Sequence, residues 1–112
     1  MITIYHNNRC SKSRLGVQYL KDRALDFQVV EYINTPFTEE LLTQLLQKLG
    51  KRPLEITRTQ EEDFKLYKGL VLPDEEWIKI LVENQKLIER PIVVNGEKAV
   101  VARPAENIDQ IL

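Results

Sequence analysis

A strand that passes directly into a helix and then into a second strand is the feature that most limits what this chain can become. Ile2-Thr3-Ile4-Tyr5 alternates apolar and polar residues, and the chain then runs through His6-Asn7-Asn8-Arg9-Cys10-Ser11-Lys12-Ser13-Arg14. From Ser11 to Arg23, Leu15, Tyr19 and Leu20 are spaced to lay one face of a helix on a sheet. Phe27-Gln28-Val29-Val30-Glu31-Tyr32 follows, and its β-branched and aromatic residues predict a second strand. Two strands joined through a helix pair in parallel, because a parallel pair needs a long crossover.

The remaining chain has strong local punctuation. Asn34-Thr35-Pro36 ends the second strand, and Thr38 before Glu39 and Glu40 reads as a helix N-cap with acids in the first turn. Leu41, Leu42, Leu45, Leu46 and Leu49 form one apolar face, which Gly50 terminates. Pro53 and the stretch Glu61 to Tyr67 predict two short helices in a less regular region. Pro73-Asp74-Glu75-Glu76 opens another helix with Trp77, Ile78, Leu81 and Val82 as its apolar stripe. Ile92-Val93-Val94 and Ala99-Val100-Val101 flank Asn95-Gly96, a hairpin signal because both turn residues tolerate positive φ. Ala105 to Leu112 predicts a closing helix with Ile108, Ile111 and Leu112 facing inward.

This order predicts an α/β protein with a thioredoxin-like (glutaredoxin-like) fold: a mixed four-stranded sheet with a helical insert, roughly residues 38–88, between the βαβ unit and the C-terminal β-hairpin. Arg90-Pro91 stands where such folds place a proline after a cis peptide bond. A chain of 112 residues fits a single domain. The net charge of −1 argues against a nucleic-acid or acidic-membrane partner, so any anion must be attracted locally. No apolar run reaches the ~18 residues of a membrane span and the N-terminus carries no leader pattern, so the expected location is cytoplasmic.

Cys10 is the only cysteine, so no internal disulfide can form, and with one histidine in the chain it cannot complete a four-ligand zinc site. No metal or bound cofactor is expected, and redox chemistry at Cys10 requires a thiol from another molecule. An ordinary thiol with pKa ~8.5 is only about 3% thiolate at neutral pH, and the thiolate is the nucleophile. The N-terminus of the following helix, with Arg9, Lys12 and Arg14, supplies the positive potential that lowers such a pKa. The same N–H groups, with Ser11 and Ser13, can seat a tetrahedral oxyanion. The alternative is a small buried cysteine beside a solvated basic loop. His6 is either a hydrogen-bonded structural histidine or a group that tunes Cys10.

The pattern H-N-x-x-C-x-x-S-R, with Arg90-Pro91-Ile92-Val93-Val94 and Arg103-Pro104, resembles the ArsC-type, glutaredoxin-dependent arsenate reductase family over nearly the whole chain. The stretch R-C-S-K-S-R is similar to its short members. The resemblance implies that Cys10 attacks arsenate held by Arg58, Arg90 and Arg103, with His6 near the cysteine and Ser13 helping to stabilise the thiolate. It also implies glutathione as co-substrate and glutaredoxin as the partner that resolves the mixed disulfide. On the other reading, the three arginines are solvated surface residues. Ser11-Lys12 departs from the small Gly-Thr pair of the long reductases, which also continue beyond the position of Leu112. Two other functions fit the same fold: a redox-responsive regulator of RNA polymerase, for which Ser13 replaces the needed second cysteine, and a monothiol glutaredoxin-like carrier.

Overall fold

In a computed structural model describing Met1 to Leu112, the chain begins with β1 (Ile2–His6), α1 (Ser11–Asp22) and β2 (Phe27–Glu31). Then follow α2 (Glu39–Leu49), α3 (Asp74–Glu83), β3 (Ile92–Asn95) and β4 (Lys98–Val101). Short 3₁₀ helices fill Pro53–Ile56, Glu62–Tyr67, Gln85–Leu87 and Ala105–Ile111. The sheet order is β2-β1-β3-β4. β1 pairs parallel with β2, as the crossover requires, and antiparallel with β3, which pairs antiparallel with β4. This is the expected mixed sheet of a thioredoxin-like fold.

The chain forms two compact units, Met1–Pro36 with Arg90–Leu112, and Phe37–Glu89. In the first, Ile2, Ile4, Leu20, Val93, Ala102, Ile108 and Ile111 are buried together. Alternation along β1 buries Ile2, Ile4 and His6 on one face, so His6 occupies the polar end of an apolar row. The helix that covers this row differs from the expected one. Its buried positions are Ser13, Gly16 and Leu20, whereas Leu15 is 54% exposed. Hydrophobic periodicity missed this face because a serine and a glycine carry no apolar signal. Gly16 is required by close approach: a Cβ there would stand 2.8 Å from Pro91 Cγ and 3.2 Å from Ile4 Cδ1.

The hairpin turn is also displaced by one residue. Asn95 pairs with Lys98, leaving Gly96-Glu97 as the loop with positive φ at Gly96 alone. That is the type II′ arrangement, which places glycine first. Asn95 instead donates its side-chain amide to the Ile111 carbonyl at 2.7 Å, a partner from the far end of the chain. Leu112, expected inside, is 53% exposed.

In the second unit the sequence pattern is followed closely. Thr38 Oγ1 accepts the Leu41 N–H at 3.1 Å, and Gly50 ends α2 with φ +66°. Trp77 of α3 stacks on Phe64 with centroids 6.1 Å apart. No helix is long and apolar enough to cross a membrane.

Candidate active site

Cys10 lies at the end of the loop that leaves β1, as the residue before the first turn of α1. Asn7 organises that loop. Its side-chain oxygen accepts the Arg9 N–H at 3.0 Å, an Asx-turn, and its carbonyl accepts the Cys10 N–H at 3.0 Å. Arg14 reaches back to donate to the Asn8 carbonyl at 2.8 Å. The loop is therefore closed from both sides, and it presents Cys10, half-buried, over the start of the helix.

Ser13 joins this loop to β1. Its Oγ accepts the Asn7 N–H at 3.0 Å and lies 2.7 Å from His6 Nδ1, in a fully buried position. These partners account for the hydroxyl, so Ser13 acts on Cys10 through its backbone N–H. Burial holds His6 below its ordinary pKa, against the attraction of Glu31, its register partner on β2, and the bond to Ser13. A neutral imidazole suits the shared proton with Ser13. Of the two roles open for His6, the geometry supplies the hydrogen-bonded one, and through Ser13 it also orients the helix start beneath Cys10. Beyond His6 and Glu31 a polar cavity of about 210 Å³ opens, lined also by Arg9 and Asn34.

Burial pushes the Cys10 thiol up, but the opposing influences are larger together and its pKa is lowered. The backbone N–H of Ser13, a hydrogen bond from Arg90, the N–H of Lys12 and the charge of Arg90 all favour the thiolate. No regular side-chain capping bond forms at this helix start, so the N–H groups face the sulfur as a shallow cradle. The side chains of Arg9, Lys12 and Arg14, expected to supply the charge, are not among the causes of the shift. Arg90 supplies it from the other side of the sheet's centre.

Arg90 reaches Cys10 because Tyr5 of β1 faces Ile92 of β3, which brings the start of β3 beside the end of β1. The Arg90-Pro91 bond is cis, and so is Arg103-Pro104, for which the sequence held no comparable sign. Burial works against the Arg90 charge, but the influence of Cys10 and Tyr32 outweighs it and raises the pKa of the guanidinium. Tyr32, almost fully buried, is a site residue that the sequence pattern presented only as the last residue of the predicted second strand; it lies just beyond β2. Asn7 stood in the H-N-x-x-C pattern without a role, although an Asn two residues before a turn is an Asx-turn signal.

Arg103 follows β4 with an exposed side chain. The Ala102 N–H donates to the Pro91 carbonyl at 2.9 Å, so the ladder extends one step past Ile92 and Val101. Arg90 and Arg103 are the next residues outward on the two strands. Arg58 belongs to the second unit, where its backbone N–H donates to the Leu87 carbonyl at 2.7 Å. There its guanidinium pairs with Glu61 and donates to the Lys86 carbonyl. Thus His6, Cys10, Ser13 and Arg90 form one constellation, Arg103 flanks it through the ladder, and Arg58 has its partners in the insert.

A family model described as the ArsC family matches residues 5–111. The chain is 35% identical to an arsenate reductase of Neisseria meningitidis, over 99% of this chain and 97% of that protein. It is 42% identical to the Escherichia coli protein YfgD, described as uncharacterised, over 99% of this chain and 96% of that one. A solved arsenate reductase from Vibrio cholerae superposes with a TM-score of 0.94 at 38% identity, covering 99% of this chain and 97% of that chain.

Proposed function

Since the chain belongs to the ArsC family, we propose that it is an arsenate reductase that uses glutathione and glutaredoxin. The observation that carries this reading is the placement of the Cys10 thiol over the N–H groups of Lys12 and Ser13 and beside Arg90, all of which lower its pKa. A thiolate paired with a guanidinium offers nucleophile and anion ligand at one point. Arginine suits an oxyanion because its planar fork donates two parallel hydrogen bonds and stays charged.

In the first step Cys10 Sγ attacks arsenic, a protonated oxygen leaves as water, and an S–As bond forms. The negative charge that began on sulfur moves to the arsenate oxygens, where Arg90 and Arg103 receive it. The thiolate of glutathione then attacks Cys10 Sγ. An S–S bond forms, and the electron pair of the S–As bond passes to arsenic, which leaves as arsenite. Arsenic gains two electrons, and the two thiols lose one each. Glutaredoxin thiol attack on the glutathione sulfur frees Cys10. This dependence on glutathione is consistent with a cytoplasmic enzyme. The resemblance adds Arg58 as a third oxyanion ligand, which substitution tests separately.

Arsenite formation with arsenate, glutathione, glutaredoxin and a reductant provides the test. Cys10→Ser should abolish turnover. Arg90→Lys and Arg103→Lys should lower kcat/KM for arsenate about 10- to 100-fold, the worth of a charge-assisted hydrogen bond at roughly 1.5–3 kcal/mol. Arg58→Lys should do so only if the third ligand is used. A wild type no faster than Cys10→Ser would end the assignment. Glutathione exchange at Cys10 without arsenite formation would identify a monothiol carrier instead. The thiol titration gives an independent check: Cys10 should react as a thiolate below the ordinary thiol range, and Arg90→Gln should move that transition to higher pH, because it removes a hydrogen bond and a charge that favour the thiolate.

A further inference from the structure

The exposed face of α1 and the segment after β4 enclose a groove of about 230 Å³. Lys12, Leu15 and Tyr19 line one side, and Pro104, Ala105 and Glu106 the other. Lys12, whose backbone N–H favours the Cys10 thiolate, and Pro104, which directly follows Arg103, are the lining residues nearest the site. The groove's opposite end, near Asp22, lies about 15 Å farther along the helix at 1.5 Å per residue.

Charge divides this groove. Lys12 has no carboxylate partner, unlike Arg23 of the same helix, which is engaged by Asp109. Asp22 and Glu106 make the other lining charges negative. Lys12 is therefore the one charged group of the lining that attracts a carboxylate. Leu15, half-exposed against Pro104 and Ala105, gives the Lys12 end an apolar wall. The volume is below the ~300–1,000 Å³ of pockets that enclose a whole ligand, and suits one arm of a small peptide better than a folded partner.

We infer that this groove seats a carboxylate-bearing arm of the peptide thiol that resolves the Cys10 adduct, with Lys12 as its recognition residue. The inference rests on the reading that a small outside thiol completes the reaction, and it adds where that thiol binds and by which group. In the resolving step, the peptide's thiolate forms an S–S bond with Cys10 Sγ while the S–As electron pair passes to arsenic. Anchoring one carboxylate at Lys12 holds that thiolate within reach and excludes thiols without such a group. Lys12 is then a specificity-determining residue, and its ammonium has a use distinct from its backbone N–H.

Lys12→Gln should raise the KM for glutathione, relative to that for 2-mercaptoethanol, about two- to fivefold; Lys12→Glu should raise it further. An exposed ion pair has about this worth. Equal effects on the two thiols, or an effect confined to the glutaredoxin step, would overturn the inference. Binding is read without turnover by following amide resonances of Cys10→Ser during titration with S-methylglutathione. Shifts at Lys12, Leu15 and Ala105 that weaken in the Lys12→Gln background, or with the diester of the ligand, support the groove. Shifts elsewhere, no shifts, or equal shifts with the diester overturn it. A protein that fails to reduce arsenate yet shows the groove shifts would lose the reductase reading and keep this one. Arsenate turnover without groove shifts would do the reverse.

Discussion

Helices α1 and α2 are nearly equal in length, at 12 and 11 residues, yet they are built on opposite terms. α2 has a side-chain cap at Thr38, Glu39 and Glu40 in its first turn, Lys48 in its last, and glycine in the left-handed position at its end. α1 has no side-chain capping bond, no acid in its first turn, and buries a serine and a glycine. It ends with Ala24 at φ +56°, where a Cβ is unfavourable. The bonds from Leu25 N–H to Leu20 and from Ala24 N–H to Lys21 still close its last turn. α2 thus meets its own requirements locally. The start of α1 is left open for a charge, and an acid or a capping hydroxyl there would compete with the Cys10 thiolate for the same N–H groups. A helix start left uncapped beneath Cys10 is consistent with use of that end for binding.

The largest change should come from Gly16→Ala. Helix propensity alone favours alanine by about 1 kcal/mol, so a gain would mean that α1 follows the same local rules as α2. The close contact with Pro91 predicts the opposite: a net loss of about 1–3 kcal/mol from overpacking, seen as a lower urea midpoint. Because Pro91 adjoins Arg90, the Cys10 titration should move upward in the same variant. Thr38→Ala should remove the cap of α2 at a cost of about 1 kcal/mol, with the Cys10 titration unchanged, since that cap is wholly local. The smallest effect should be seen on exchanging the helix ends. Ala24→Gly should stabilise by up to about 1 kcal/mol, as relief of the left-handed strain outweighs the added freedom of the unfolded chain. Gly50→Ala should destabilise by a similar amount, and thermal unfolding would read both. Equal signs for the two would refute the account of these termini.

What could be read in the chain follows the range of the forces involved. The cap at Thr38, the leucine face of α2, the stop at Gly50 and the βαβ order were legible because each depends on residues a few positions apart. Leu15 was assigned inward and Gly16 overlooked because the choice of buried face depended on Pro91, which is remote in sequence. The hairpin loop moved from Asn95-Gly96 to Gly96-Glu97, with the side chain of Asn95 engaged by the carbonyl of Ile111. Cys10 itself was marked by position, and its activating charge was sought in neighbours along the chain. The fold assigns that task to Arg90, while Arg14 goes to the loop carbonyl of Asn8.

The amino-acid order therefore determined the elements, their sequence along the chain and the single thiol on which any chemistry depends, because caps, turns and periodicity act over short spans. Only the tertiary structure decided which cation meets that thiol and why Tyr32 joins it. It also decided that Ser13 contributes a backbone N–H while its hydroxyl is taken by Asn7 and His6. Strand register and burial settle such pairings, and they act between residues that the linear sequence leaves far apart.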